Sequence, residues 1–317
     1  MLRFLLCVAL AVFPALAWNH VGHKAVAGMA YDRLSGRARA KVDSLIHNHP
    51  DYQLWLTDAP LDKKGRARHA FMQSAYWPDT IRSDPRFYDE SRSDQQSTPA
   101  PTGYADMRRH TNWHYINMAF SPDGTPFPPP PPVNVLSQIK LILGVIGTEP
   151  PPAPGSVNGE MDPTYLLPWL LHLVGDVHNP MHCTSRWKRD QVDPKTGRPW
   201  SDLGGNGVFV VGAFNLHAYW DNALGITDTP VFINGVIKFL KGKGQEGEAV
   251  LDPQEWVNEG AKLAESVCYN LGSKGAGTKE DPITLPDVYG LKAREVARER
   301  AALGARRLAA VLNERFK

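Results

Sequence analysis

The segment YLLPWLLHLVGDV, residues 165–177, is apolar on nearly every side and is interrupted by one imidazole and one carboxylate. A helix without a polar face belongs in the interior of a large fold, and Pro168, placed near its first turn, is compatible with that conformation. His172 and Asp176 lie four residues apart and so share one face. Burying both is unfavourable unless each is satisfied there. The segment predicts a central buried helix that presents two polar groups at one place.

The flanking sequence is consistent with helices packed around it. Between His20 and Leu45 the apolar positions Val21, Ala25, Val26, Met29, Ala30, Leu34, Val42 and Leu45 recur at helical spacing, with a break near Ser35-Gly36 that predicts two helices. Tyr88 to Thr111 is polar, aperiodic and proline-containing, and reads as loop. PFPPPPP (126–132) and EPPPAPG (149–155) bracket the apolar run VLSQIKLILGVIG and predict extended loops around one helix. Residues 184–207 read as a long polar loop, VFVV (208–211) is the best strand candidate, and NLHAYWDNAL begins another helix. EWVNEGAKLAESVCYNL and LKAREVARERAALGARRLAAVLNERF complete the chain as amphipathic or alanine-rich helices. The expected class is all-α with at most a small β-hairpin.

At the N-terminus, MLRFLLCVALAVFPALA has Arg3, an apolar stretch from Phe4 to Phe13 and the small-x-small tripeptide Ala15-Leu16-Ala17, the pattern of a secretory signal peptide. The apolar run falls well short of the roughly 20 residues that span a bilayer. Export to the periplasm or the medium is expected, with no stable membrane anchoring, and residues 18–317 are expected to form one helical domain. Cleavage after Ala17 makes Trp18 the new N-terminus. The 35 Lys plus Arg nearly balance 33 Asp plus Glu, so net charge gives no argument for nucleic-acid binding, and an anionic substrate has to be drawn in locally. Of three cysteines, Cys7 leaves with the signal peptide. In an exported chain the remaining Cys183 and Cys268 are expected to pair as a disulfide, on which a fold of this size does not depend.

One His-x-x-x-Asp pair arises easily by chance among 11 histidines. Here two fall within segments that read as helix, His172/Asp176 and His217/Asp221. HLVGDVHNPMH adds His182 beyond a bend expected at Pro180, and YWPDTIR and NWHYIN supply Asp79 and His114 among aromatic neighbours. Neutral imidazoles and carboxylates without cysteine suit zinc sites that keep open positions.

WNHVGH, WPDTIR, WHYIN, HLVGDVHNPMH, GGN and NLHAYWD, in that order from Trp18 to Asp221, resemble the motifs of the zinc-dependent phospholipase C and single-strand nuclease superfamily, and most of all its nuclease and 3'-nucleotidase branch of the S1/P1 type. The resemblance implies three zinc ions. Trp18, through its free α-amine and carbonyl oxygen, and His23 would hold one together with Asp176. Asp79, His114, His172 and a bridging Asp176 would hold a second, and His182, His217 and Asp221 the third. It implies attack on phosphorus by a hydroxide shared between two metals, with the third stabilising the departing 3'-oxygen, on single-stranded DNA, RNA and 3'-nucleotides, leaving 5'-phosphates. Asp79 and Arg82 are then the candidate catalytic residues. Arg82 matches a cation that holds the phosphate, for which a guanidinium is suited by its paired donors. Tyr115 matches a base-stacking aromatic residue. Asn117 stands where some members have an aspartate that contacts the base, which leaves base preference open. Trp187, Lys188 and Arg189, in the loop 184–207, read by default as solvated, with cover of the second face of the base as the alternative. His20, His47, His49, His69, His110 and His178 receive no metal, His178 being placed behind the ligands or at the surface. A monomer is expected. The competing readings are a zinc-dependent phospholipase C, against which Asp221 and the GGN motif weigh, and an exported zinc-binding protein without turnover.

Overall fold

The computed structural model describes residues 18–148, 162–192, 197, 199–242, 250–272 and 275–317. The signal-peptide expectation and the second proline-rich segment lie outside them.

The central helix α6 spans Pro163–Asp176 and is buried from Tyr165 to Asp176. It starts two residues earlier than the apolar pattern shows, because the Asp162 side chain accepts a hydrogen bond from the Thr164 N–H and Pro163 occupies the first turn. Pro168 therefore falls inside the helix and not near its start. Around α6 pack α1 (His20–Tyr31), α2 (Gly36–His47), the short α4 (Trp77–Thr80), α5 (Val135–Val145) and the 29-residue α10 (Asp287–Arg315). The break at Ser35 is the N-cap of α2, its hydroxyl accepting from the Ala38 N–H. α3 (Lys63–Ser74) lies against α1 and α2, while α7 (Leu216–Asp221), α8 (Pro230–Lys241) and α9 (Pro253–Leu263), with a π-helical turn at Ala264–Cys268, complete the α-helices among the described residues. Each fully buried Leu contributes about 2 kcal/mol. Leu166, Leu167, Leu170, Leu171 and Leu173 of α6 are all essentially inaccessible, enough to offset the few kcal/mol that His172 and Asp176 cost when desolvated.

The β-structure differs in place from the sequence expectation. Thr184–Val192 is a strand, β2, and not loop. It pairs in parallel with β1 (Met118–Phe120; Met118 opposite Thr184) and antiparallel with β3 (Pro199–Ser201; Trp187 opposite Ser201). Main-chain pairing on both sides holds this polar strand, so it shows no hydrophobic alternation. VFVV contributes only an isolated bridge, Val210 to Ile283. The expected disulfide is absent. Cys183 and Cys268 are buried free thiols that sit in two separate apolar clusters. The Cys183 thiol donates to the Val177 carbonyl at 3.2 Å, and burial pushes it up to about 12. Among the described residues, no helix is long and apolar enough to cross a membrane.

Candidate metal centre and cleft

Six stretches of chain bring the predicted residues together, among them the turn at 111–114 that carries His114. The last turn of α6 carries His172 and Asp176. Past it, the Asn179 side chain accepts from the Met181 N–H, and Pro180–His182 forms a 3-10 turn that brings His182 back towards Asp176. α7, N-capped by Asn215, carries His217 and Asp221 on successive turns. α1 supplies His23 and α4 supplies Asp79. Two glycines permit the approach of α1. A Cβ on Gly175 would lie 2.8 Å from His23 Nδ1, and one on Gly22 would lie 2.7 Å from the Cβ of Trp18. Trp18 is completely buried at the head of α1, and Asn19 ties that end to α7 through its N–H, which donates to the Asp221 carbonyl at 3.3 Å.

Eight of the nine predicted ligand residues fall into three buried groups, the ligand atoms of each lying within 4.8 Å of one another: His23, His172 and Asp176; Asp79, His114 and His172; His182, His217 and Asp221. The ninth, Trp18, packs against Gly22, the residue before His23. Asp176 stands between the groups. Its Oδ1 is 3.3 Å from His23 Nε2 and 3.8 Å from His182 Nδ1, and its Oδ2 is 3.3 Å from His114 Nδ1 and 3.1 Å from His172 Nε2. Asp79 Oδ1 is 3.9 Å from both His114 Nδ1 and His172 Nε2. His172 reaches both of the first two groups, its ring stacked on His23 with centroids 3.8 Å apart.

The hydrogen bonds of the imidazoles show what these groups lack. Nδ1 of His172 donates to the Ala75 carbonyl (2.9 Å), Nδ1 of His182 to the His114 carbonyl (2.8 Å) and Nδ1 of His217 to the Gly204 carbonyl (2.7 Å). A carbonyl only accepts, so each Nδ1 carries the hydrogen, and in the neutral ring each Nε2 carries a lone pair. The Nε2 atoms of His182 and His217 nevertheless face each other at 3.1 Å, with Asp221 oxygens 3.5 and 3.6 Å away. Lone pairs and a carboxylate converging in this way require a proton or a cation between them. Burial, with His182 adding to it, drives His217 down to about 3. Burial also disfavours charge on His182, but Asp176 and Asp221 outweigh it and hold that imidazole up to about 9. Burial raises Asp221 to about 8. Both carboxylate oxygens of Asp79 and of Asp176, Oδ2 of Asp221, both ring nitrogens of His23 and Nε2 of His114 are buried without a hydrogen-bond partner. So many unpartnered acceptors facing inward fit divalent cations, and the all-imidazole and carboxylate donor set fits zinc. Asn179, which the sequence reading passed over, supports the third group by donating to Asp221 Oδ1 at 2.8 Å.

The groups open on a cleft of about 500 Å³ whose lining includes His114, His182 and His217 as well as Arg82, Tyr115 and Asn117. Arg82 Nη1 lies 3.5 Å from Asp79 Oδ1, and Arg82 lines the cleft, where a guanidinium can donate to an anion. Tyr115 is 38% exposed. Trp187, Lys188 and Arg189 are absent from the cleft lining; they lie in β2 and not in a loop, and the Arg189 N–H donates to Asp123 Oδ2. Leu203, Phe209, Phe214 and Lys279 line the cleft in their place. His178 is fully buried, neither behind the ligands nor at the surface; its Nδ1 donates to the Val174 carbonyl and its Nε2 accepts from Arg307.

Endonuclease 5 of Arabidopsis thaliana is 30% identical to the chain over 173 residues, an alignment covering 48% of this chain and 51% of that protein. The chain thus spans about half the length of that curated relative. The S1/P1 Nuclease family model matches residues 18–317, from the buried tryptophan to the C-terminus, and the chain belongs to the S1/P1 nuclease family.

Proposed function

We propose that the chain is a zinc-dependent nuclease that hydrolyses phosphodiester bonds of single-stranded DNA and RNA, acts also on 3'-nucleotides, and leaves 5'-phosphate products. The observation that carries this is the placing of Asp176. Its Oδ1 faces His23 and its Oδ2 faces His114 and His172, beside a cleft lined by a guanidinium and an aromatic side chain.

Trp18 (by its α-amine and carbonyl oxygen), His23 and Asp176 would hold one zinc. Asp79, His114, His172 and Asp176 would hold the second, and His182, His217 and Asp221 the third. When bound, zinc supplies Lewis acidity at the phosphoryl group and makes water more acidic. The rest is the work of the chain. The carbonyls of Ala75, His114 and Gly204 fix the imidazole tautomers so that the Nε2 lone pairs face the metal positions. Asp79 holds the Arg82 guanidinium, whose donors orient the non-bridging oxygens of the phosphate. Asn179 aims Asp221, beside which we place the departing 3'-oxygen. Tyr115 stacks on a base and Asn117 donates to or accepts from its edge. A paired base has both faces occupied, so single strands are preferred. Removal of residues 1–17 frees the Trp18 α-amine, and residues 18–317 act as one exported, monomeric domain.

The test is hydrolysis of single-stranded and duplex DNA by protein whose N-terminus is verified as Trp18, with and without chelator. Chelator-sensitive cleavage that is faster on single strands and leaves 5'-phosphates is expected. Zinc-replete protein that hydrolyses phosphatidylcholine and leaves single-stranded DNA intact would overturn the assignment.

A further inference from the structure

The cleft continues past Tyr115 to three residues that the mechanism above does not use: Phe209, Phe214 and Lys279. Phe209 is held by main-chain bonds on both sides, its N–H donating to the Gly277 carbonyl at 2.9 Å and its carbonyl accepting from the Ile283 N–H at 2.9 Å. Its ring meets that of Phe214 at 6.1 Å and 69°, an edge-to-face contact that braces Phe214. Phe214 is itself 49% exposed, although it immediately precedes Asn215, the cap of the helix that carries His217 and Asp221. Lys279 places its Nζ 5.5 Å from the Phe209 ring centroid. A fixed aromatic ring, a second ring left open to solvent and a cation beside them on one wall of a cleft make a stacking platform with a phosphate contact, the chemistry that holds single-stranded nucleic acid without reading its sequence.

We propose that Phe214, braced by Phe209, stacks on the base of a nucleotide neighbouring the one at Tyr115, and that Lys279 contacts its phosphate, so that the cleft grips an oligonucleotide more tightly than a single nucleotide. This subsite rests on the nuclease reading above and extends it: the preferred substrate class is an oligonucleotide of at least two residues. Phe209 positions the platform.

The experiment compares KM and kcat for a single-stranded thymidine tetranucleotide and for a 3'-mononucleotide in wild type, Phe214→Ala, Phe214→Trp and Lys279→Ala. Loss of one stacked base corresponds to about a tenfold loss of affinity. Phe214→Ala is expected to raise the tetranucleotide KM by about tenfold and to move the mononucleotide KM far less, with Phe214→Trp restoring the tetranucleotide value. Lys279→Ala is expected to flatten the dependence of log KM for the tetranucleotide on log salt by about 0.7. Equal losses on both substrates would show that the aromatic pair only shapes the reaction centre, and no loss on the tetranucleotide would show that nothing stacks there; either overturns the subsite alone. A wild-type protein inactive on both substrates overturns the nuclease reading, and the subsite with it.

Discussion

Replacing Asp176 by Asn keeps the shape of the side chain and removes its charge at the point where two groups meet. Four imidazole nitrogens, from His23, His114, His172 and His182, lie between 3.1 and 3.8 Å from the two oxygens of this residue. An amide nitrogen cannot replace the second oxygen as a ligand, so both groups that use Asp176 weaken together, while the group of His182, His217 and Asp221 keeps its own three residues. Zinc content is expected to fall from three ions per chain to about one. Losing Lewis-acid stabilisation of about 4 kcal/mol lowers kcat on the order of a thousandfold. The assay is metal content by plasma mass spectrometry on gel-filtered protein, with initial rates on single-stranded DNA. Asp202→Asn is the control. Asp202 is also buried, but its Oδ1 is occupied by the N–H groups of Arg186 and Gly205 and by the Tyr269 hydroxyl, and this variant should keep all three ions. An Asp176→Asn protein with wild-type zinc content and rate would refute the bridging role.

Three further outcomes follow from the same geometry. Asn179→Ala removes the donor to Asp221 and should weaken zinc at the third group by about 10- to 100-fold, read by chelator competition; unchanged affinity would deny Asn179 an orienting role. An added alanine before Trp18 turns the α-amine into an amide and displaces the terminus, so zinc content should drop by one ion, and an extended protein with full content and activity would exclude the amine as a ligand. For His49, burial pulls the imidazole from 6.5 down to about 4. The unfolded chain therefore binds the proton first, and the contribution to stability is complete above about pH 6.5 and lost as pH falls towards 4, by about 3 kcal/mol. Denaturant unfolding at pH 7 and pH 4 should show that much less acid sensitivity in His49→Gln than in wild type, and parallel curves would contradict the account.

What the sequence revealed was what burial and spacing write into it. The all-apolar surroundings of His172 and Asp176 announced α6, and the four-residue spacing announced that the two groups share a face. The same spacing in NLHAYWD marked α7. Residues such as Asp79 and His114 come together only through tertiary contact, so their motifs are needed to single them out. β2 was missed because its polar side chains carry no alternation and its stability comes from pairing with β1 and β3. VFVV has strand composition without a local partner: Val210 forms only an isolated bridge with Ile283 and the Phe209 main chain is bonded to Gly277 and Ile283, more than 60 residues away. Asn179 could have been noticed as a cap before Pro180, but its bond to Asp221 spans 42 residues and leaves no local mark. Only the expected compartment argues for pairing the cysteines, and their side chains occupy different apolar clusters.

The measurement closest to the central claim is a crystal structure of the zinc-replete protein, beginning at Trp18, with anomalous differences recorded across the zinc edge. Three peaks are predicted, two of them sharing Asp176 and the third among His182, His217 and Asp221. A map with no peak beside Asp176, from crystals of protein that cleaves single-stranded DNA, would contradict the account.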